Sequence, residues 1–118
     1  PGRPPRLTLG DRVRFGRNLS VACIGSVTIG DDVMGSDDIF IGDCYHDYTD
    51  PGTPILDQPM SEPEGVTIEA GAYLGAGSII LPGVTIGAGA YIGEAAVVTA
   101  DVPPHAVVMG NPARVVRS

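Results

Sequence analysis

Two histidines, two cysteines and seven arginines carry most of the chemistry that this chain could perform. His46 lies in an acidic stretch with Asp43, Asp47 and Asp50 around it, and Cys44 stands two residues before it. A histidine can serve as a general base because its ordinary pKa lies near operating pH. Taken alone, His46 is equally readable as a surface histidine in an acidic loop. Cys44 offers a thiol nucleophile beside that imidazole, since positions two apart in a strand share a face; a small incidental residue is the plainer reading. Asp43, Asp47 or Asp50 could orient the imidazole or simply be solvated. Zinc chemistry needs three protein ligands and an open fourth position, and two histidines far apart in sequence do not supply them, so no metal is expected. Cys23 reads as packing and His105, after two prolines, as surface.

The arginines sit at the two ends of the chain, at positions 3 to 17 and at Arg114 and Arg117, and there is no lysine. Fourteen acids against seven bases give a net charge of −7. Such a surface repels a phosphate backbone, so nucleic acid is not an expected partner, while the C-terminal arginines leave room for a local anion site. There is no run of 18 apolar residues and no leader-like segment, so no membrane span is expected and a soluble, cytoplasmic protein is the default. Two cysteines are too few for a disulfide scaffold. The first residue is Pro1 rather than Met, which leaves an upstream segment open.

The elements that must position these groups follow from a repeat. Ile68, Leu74, Ile80, Ile86, Ile92 and Val98 are spaced by six, and Ala72, Ser78, Val84, Ala90, Ala96 and Val102 each follow four positions later. The same beat runs through Leu9, Phe15 and Val21, slips by two residues, and resumes at Ile29, Gly35 and Ile41. A period of six is neither helical nor that of a meander. It predicts one short strand and one tight corner per six residues, three such units closing a triangular coil of 18. The narrow interior explains why Ile, Val, Leu and Ala replace aromatics, of which there are two Phe, four Tyr and no Trp. The expected fold is all-β, a single parallel β-helix domain spanning 1–118 with about four coils (9–26, 27–42, 66–83, 84–102). Ile41 and Ile68 are 27 apart, which is no multiple of six, so 43–65 must leave the coil as an extruded loop. Residues 103–118 read as a C-terminal tail. Four coils are few for a free-standing solenoid, so a homo-oligomer is expected.

Three stretches then resemble one family. They are Asn18–Val21 through Val27–Asp31 to His46, Ile80–Gly87 (ILPGVTIG), and Asp101–Pro104 followed by Gly110–Arg117 (GNPARVVR). Together they resemble the left-handed β-helix acyltransferases, specifically the galactoside/maltose-type O-acetyltransferases. The resemblance implies an acetyl-CoA-dependent O-acetyltransferase, a homotrimer with active sites between subunits, acting on a hydroxyl of a sugar or sugar-like small molecule. It implies His46 as the general base in a direct attack on the thioester. It further implies Gly75, Ala76, Glu94 and Ala95 along the pantetheine arm, with small corners allowing close approach, and Arg114 and Arg117 near the CoA phosphates. Asn18, Tyr45 and Tyr48 are the acceptor-lining candidates. The chain departs from the family pattern at Ala100, often Lys; at Tyr73, commonly Trp; at Gly16, an Asn near the acceptor; and at Ile24, an acid that contacts the sugar. The last two count against a simple galactoside or maltose and leave an antibiotic intermediate, a nucleotide sugar or a polysaccharide unit open. An N-acetyltransferase on an amino sugar would use the same base geometry, and a non-catalytic β-helix used for binding or assembly is the remaining alternative.

Overall fold

A computed structural model describes residues 4–118. Its chain winds as three parallel sheets that close a triangular prism. The first sheet holds β1 (Arg6–Leu9), β3 (Ser26–Ile29), β6 (Val66–Ile68) and β9 (Thr85–Ile86). The second holds β4 (Met34–Gly35), β7 (Tyr73–Leu74), β10 (Tyr91–Ile92), β12 (Val107–Met109) and the terminal β13 (Arg114–Arg117). The third holds β2 (Ser20–Ala22), β5 (Phe40–Gly42), β8 (Ile79–Ile80) and β11 (Val97–Val98).

The six-residue beat places the core as expected. Ile29, Ile41, Ile68, Leu74, Ile80, Ile86, Ile92 and Val98 are buried in one column system, and so are the small positions Ala72, Ser78, Val84, Ala90, Ala96 and Val102. Each inward side chain stacks on its register partner one coil away, Ile68 on Ile86 and Leu74 on Ile92. Outward positions also align: Thr8, Thr28, Thr67 and Thr85 form a ladder on the first sheet.

The corners repeat a left-handed backbone conformation. Arg12, Asp32, Gly71, Gly89 and His105 mark the edge between the first and second sheets, each with φ between 56° and 74°. Asn18, Asp38, Gly77 and Ala95 mark the edge between the second and third. Glycine is free in this region, and Asn and Asp enter it more readily than other residues. Arg12 and Ala95 adopt it without that help.

The first coil is bound to the second by carboxylates. Asp31, Asp37 and Asp43, spaced by six, each sit at a different corner of the second coil. They accept from Asp11 N–H at 2.7 Å, from Arg17 N–H at 2.7 Å, and from Ile24 and Gly25 N–H at 3.0 and 2.8 Å. Gly10 and Gly16 have no room for a Cβ, because the Asp31 and Asp37 carboxylates occupy that space. Gly16 is therefore not a gap left by a missing Asn; its side-chain space is already filled. Arg12 adds an ion pair to Asp32 at 2.7 Å, but both groups are exposed and such pairs contribute little.

The C-terminal segment differs from the tail expected at 103–118. Val102 lies opposite Ile86, and β12 pairs with β10 in parallel, so the prism continues for another half-coil. The offset falls from 18 to 16 residues between Val98 and Val102, and Ala106 and Val108 remain buried. The chain then turns through a cis Asn111–Pro112 bond, and β13 runs back antiparallel on β12. At the other end the first coil begins at Arg6 rather than Leu9.

Ser78 Oγ is fully buried and has no hydrogen-bond partner among the described residues. An unpaired buried hydroxyl costs about 1–3 kcal/mol, and the equivalent positions hold Ala and Val. Ser78→Ala should therefore raise the unfolding midpoint in thermal or urea denaturation, and a clear decrease would show that the hydroxyl has a partner.

Candidate functional site

The extruded loop leaves the prism at the edge between the third and first sheets. Its root is a short antiparallel ladder. Tyr45 N–H donates to Ser61 Oγ at 2.8 Å, Ser61 N–H to Tyr45 O at 2.7 Å, and Asp47 N–H to Pro59 O at 3.0 Å. His46 sits in this ladder opposite Met60 and is exposed. The return strand is tied to the prism by Glu64 N–H to Asp43 O at 2.8 Å and Gly83 N–H to Glu64 O at 3.0 Å. His46 is thus carried on a hydrogen-bonded root rather than on the tip. The tip holds a single 3₁₀ turn, Ile55–Asp57, with Leu56 89% exposed.

The neighbouring acids have other duties. Asp47 accepts from Thr49 N–H and Oγ1 at 2.9 and 2.8 Å. Asp50 accepts from Gly52 N–H at 2.9 Å and Thr53 Oγ1 at 2.5 Å. These turn contacts hold both carboxyls below their usual range. Asp43 is buried, which by itself would raise its pKa, but N–H donors from Ile24, Gly25 and Ser26 and the Cys44 thiol hold it below the ordinary range. No aspartate is hydrogen-bonded to His46 among the described residues.

Cys44 is 9% exposed, and burial, followed by the Asp43 carboxylate, pushes its thiol up. A catalytic thiol that must attack at every turnover needs the opposite environment, one that stabilises the thiolate, so the thiol-nucleophile alternative for acyl transfer loses its footing; slow exchange with a disulfide requires only a small thiolate fraction. Tyr45 and Tyr48 flank His46 and are both exposed, Tyr48 at 73%.

The proposed CoA contacts lie on a different edge. Gly75, Ala76, Glu94 and Ala95 stack at the corner between the second and third sheets, with Ala95 N–H donating to Ala76 O at 2.8 Å. At other corners a carboxylate takes the outward N–H, as Asp37 does for Arg17 and Glu69 for Ala88. The N–H groups of Ala76 and Glu94 have no such cap among the described residues. Gly75 itself is buried, and a Cβ there would meet the backbone of Gly93 and Glu94 at 2.8 and 2.6 Å. Its smallness serves coil stacking, which corrects the expectation that it makes space for a ligand; Ala76 and Ala95 are the accessible corners. The Glu94 carboxylate is turned to Tyr91, whose phenol it pushes up, and Tyr91 stacks on Tyr73 with centroids 4.8 Å apart.

Arg114 pairs with Met109 at the end of β12 next to this edge, where Val97 N–H meets Gly110 O and Ala113 N–H meets Val97 O. Arg117 pairs with Val107 at the far end of the strand. Both arginines are exposed. Asn18 also stands on this edge, in the first coil. Its Nδ2 donates to Asp38 Oδ1 at 3.0 Å, which commits it to a corner. Within one chain it is separated from Tyr45, Tyr48 and His46 by the whole third sheet, so it does not join them as an acceptor contact there. The sequence could not show this separation, because a period of six reports inward and outward positions but not which edge a loop leaves. Among the described residues no group of three His, Cys, Asp or Glu is arranged to hold a metal.

This architecture matches that of known proteins. The model for the bacterial transferase hexapeptide (six repeats) matches residues 65–100, and that for the hexapeptide repeat of succinyl-transferase matches 6–34. The chain is built of the hexapeptide repeats that these models describe, and its coil is the left-handed β-helix. Nodulation protein L of Rhizobium meliloti is 41% identical over 125 aligned positions, covering 96% of this chain and 64% of that protein. A hexapeptide-repeat acetyltransferase from Vibrio cholerae, VCA0836, solved with acetyl-CoA, superposes with a TM-score of 0.85 at 29% identity, covering 95% of this chain and 60% of its own. A maltose O-acetyltransferase from Clostridium difficile 630 gives 0.72 at 29% identity, covering 96% and 66%. The chain thus spans just under two thirds of each of these relatives.

The buried Asp43 carboxylate yields a prediction. A carboxyl held below its ordinary value contributes stability that is complete above the unfolded-state value, near pH 4, and is lost as pH falls through the depressed one. Asp43→Asn should lower stability at pH 7 by about 2 kcal/mol, the scale of hydrogen bonds to a charged group. The gap to wild type should close in acid, as read by urea titration at several pH values. A gap independent of pH would mean that the carboxylate's charge is not what matters.

Proposed function

We propose that this protein is an acetyl-CoA-dependent O-acetyltransferase that acts on a hydroxyl of a sugar-like acceptor, with His46 as general base. Support comes from His46 itself, exposed on a hydrogen-bonded root in a prism that closely resembles an acetyltransferase solved with acetyl-CoA. Bound acetyl-CoA supplies an activated thioester carbonyl. The residues fit such a ligand: Ala76 and Glu94 offer uncapped outward N–H groups on one edge, and Arg114, next to that edge, offers a guanidinium suited to phosphate. His46 takes the proton from the acceptor hydroxyl as its oxygen attacks, and returns it to the departing sulfur. Backbone N–H groups of a neighbouring coil hold the developing oxyanion. Tyr45 and Tyr48, flanking His46, line the acceptor side.

His46 and the Ala76–Ala95 edge stand on different edges of one prism, so a complete site requires a second copy to bring its edge against the first copy's loop. That separation supports a homotrimer with active sites between subunits, each chain giving His46 to one site and its edge to the next.

His46→Ala should lower kcat at least about 10²-fold with an unchanged unfolding midpoint, the lower bound for a general base, measured as thiol release over a panel of hydroxyl and amino acceptors. Near-wild-type turnover would remove His46 from the mechanism, and turnover confined to amino acceptors would redirect the reading to N-acetylation. Arg114→Glu should raise KM for acetyl-CoA and leave kcat nearly intact; an unchanged KM would move the phosphates elsewhere. Mixing His46→Ala chains with Ala76→Trp chains, each inactive alone, should restore about a quarter of wild-type activity through sites built from the intact parts of both. No restoration would mean that each chain builds its own site.

A further inference from the structure

The two cysteines are 21 residues apart in sequence, yet the fold brings them to one corner. The second coil lies on the first with a constant offset, Ser20 on Phe40, Val21 on Ile41 and Ala22 on Gly42. Asp43 N–H continues that ladder to Ala22 O at 3.0 Å. Cys23 therefore stands level with Asp43, and Cys44 is one residue further along the adjacent chain. Strands about 4.8 Å apart with a rise of about 3.3 Å per residue put such diagonal Cα atoms about 5.8 Å apart. Disulfide-bonded residues have Cα atoms about 4.4–6.8 Å apart, most often near 5.5–6 Å. Side-chain direction agrees with backbone spacing, because both thiols lie against the same Asp43 carboxylate. Neither cysteine is bonded as the structure stands.

Access to the pair is one-sided. Cys23 is half-buried and Cys44 is buried. Cys23 Sγ meets Arg6 O at 3.4 Å, and Arg6 is one wall of a surface hollow of about 420 Å³ that Pro4, Gly25 and Ser26 also line. Cys23 is the more exposed of the two thiols and the one an oxidant meets first.

We propose that Cys23 and Cys44 form a reversible intramolecular disulfide that locks the root of the His46 loop to the first coil and slows the enzyme. With a small disulfide such as oxidised glutathione, the Cys23 sulfur attacks one glutathione sulfur and releases the other as a thiolate. The Cys44 sulfur then attacks Cys23 in the mixed disulfide and releases the second glutathione. The two thiol protons leave with the two glutathione thiolates, so two thiols and one disulfide become one disulfide and two thiols. Forming the bond draws Cys44 from Asp43 toward Cys23. Because Cys44 precedes His46 by two residues, the loop root shifts with it. Burial, and then the Asp43 carboxylate, push both thiols up, which leaves little thiolate at neutral pH and makes the exchange slow.

The effect on turnover rests on the acetyltransferase reading; the bond itself does not. The test incubates the full chain with oxidised glutathione and follows intact mass, tryptic peptides without reductant, and thiol release in the acetyl-transfer assay. The expected result is a mass lower by two hydrogens, a peptide joining the segments that contain Cys23 and Cys44, and turnover reduced about tenfold or more, all reversed by dithiothreitol. Cys23→Ser and Cys44→Ser should lack the bridge and keep their turnover in the same oxidant. Wild-type protein that stays unmodified, carries only glutathione adducts, or links between chains would overturn the proposal. A bridge that leaves turnover unchanged would overturn the switch. A protein inactive before oxidation would overturn the acetyltransferase reading while the mass still reports on the bond.

Discussion

Every inward side chain of this protein sits on another about one strand spacing away, and that vertical stacking governs most other features. Coils pack this closely only if the two inward positions that each sheet gives per coil hold compact side chains, which is why Ile, Val, Leu and Ala fill the columns and Phe15 packs against the core over a glycine, Gly35. It also dictates the corners. Where the backbone must turn within three residues, the left-handed conformation recurs coil after coil on two of the three edges. Corners that lie directly over one another leave little space between them, so Gly75 meets the backbone of Glu94 and Gly10 meets the Asp31 carboxylate.

The three aspartates of the second coil extend the same logic to a coil that fits less well. The first coil is two residues longer than the repeat, and its corners present N–H groups that the regular ladder does not use. One carboxylate at each edge takes them up. Asp43 is the most deeply placed of these, and it joins the irregular corner of the first coil to the point where the extruded loop departs. Stability at one end of the prism and the position of His46 are therefore coupled through a single buried charge.

The column of inward aliphatics, the small positions and the departure of the loop were legible in the sequence, because inside and outside alternate with a fixed period and the break from 41 to 68 is visible as a remainder. Three things were not. Ala106 and Val108 continue the core after a two-residue contraction between Val98 and Val102, and a strict count of six loses the register at that contraction. Asp31, Asp37 and Asp43 act on residues about twenty positions earlier, which only the true coil offset discloses. Asn18 looked like a companion of Tyr45 and Tyr48, yet the edge it occupies is set by how many corners separate it from the loop. The candidate site was readable as a set of residue types; their division between two edges was readable only from the wound chain.

The two middle coils repeat at 18 residues with every partner preserved, Thr67 on Thr85 and Ile79 on Val97. A whole coil could be added to or removed from that part of the prism without moving any side chain from inside to outside. An insertion of one or two residues would have to be absorbed at a corner, as it is near Cys23, and a longer one expelled as a loop, as at 43–65. The fold thus gives evolution two separate ways to change: in steps of one coil, which alter only the length of the prism, and in loops at an edge, which alter what that edge presents. Divergence in what that edge binds can proceed by the second route while the scaffold remains unaltered.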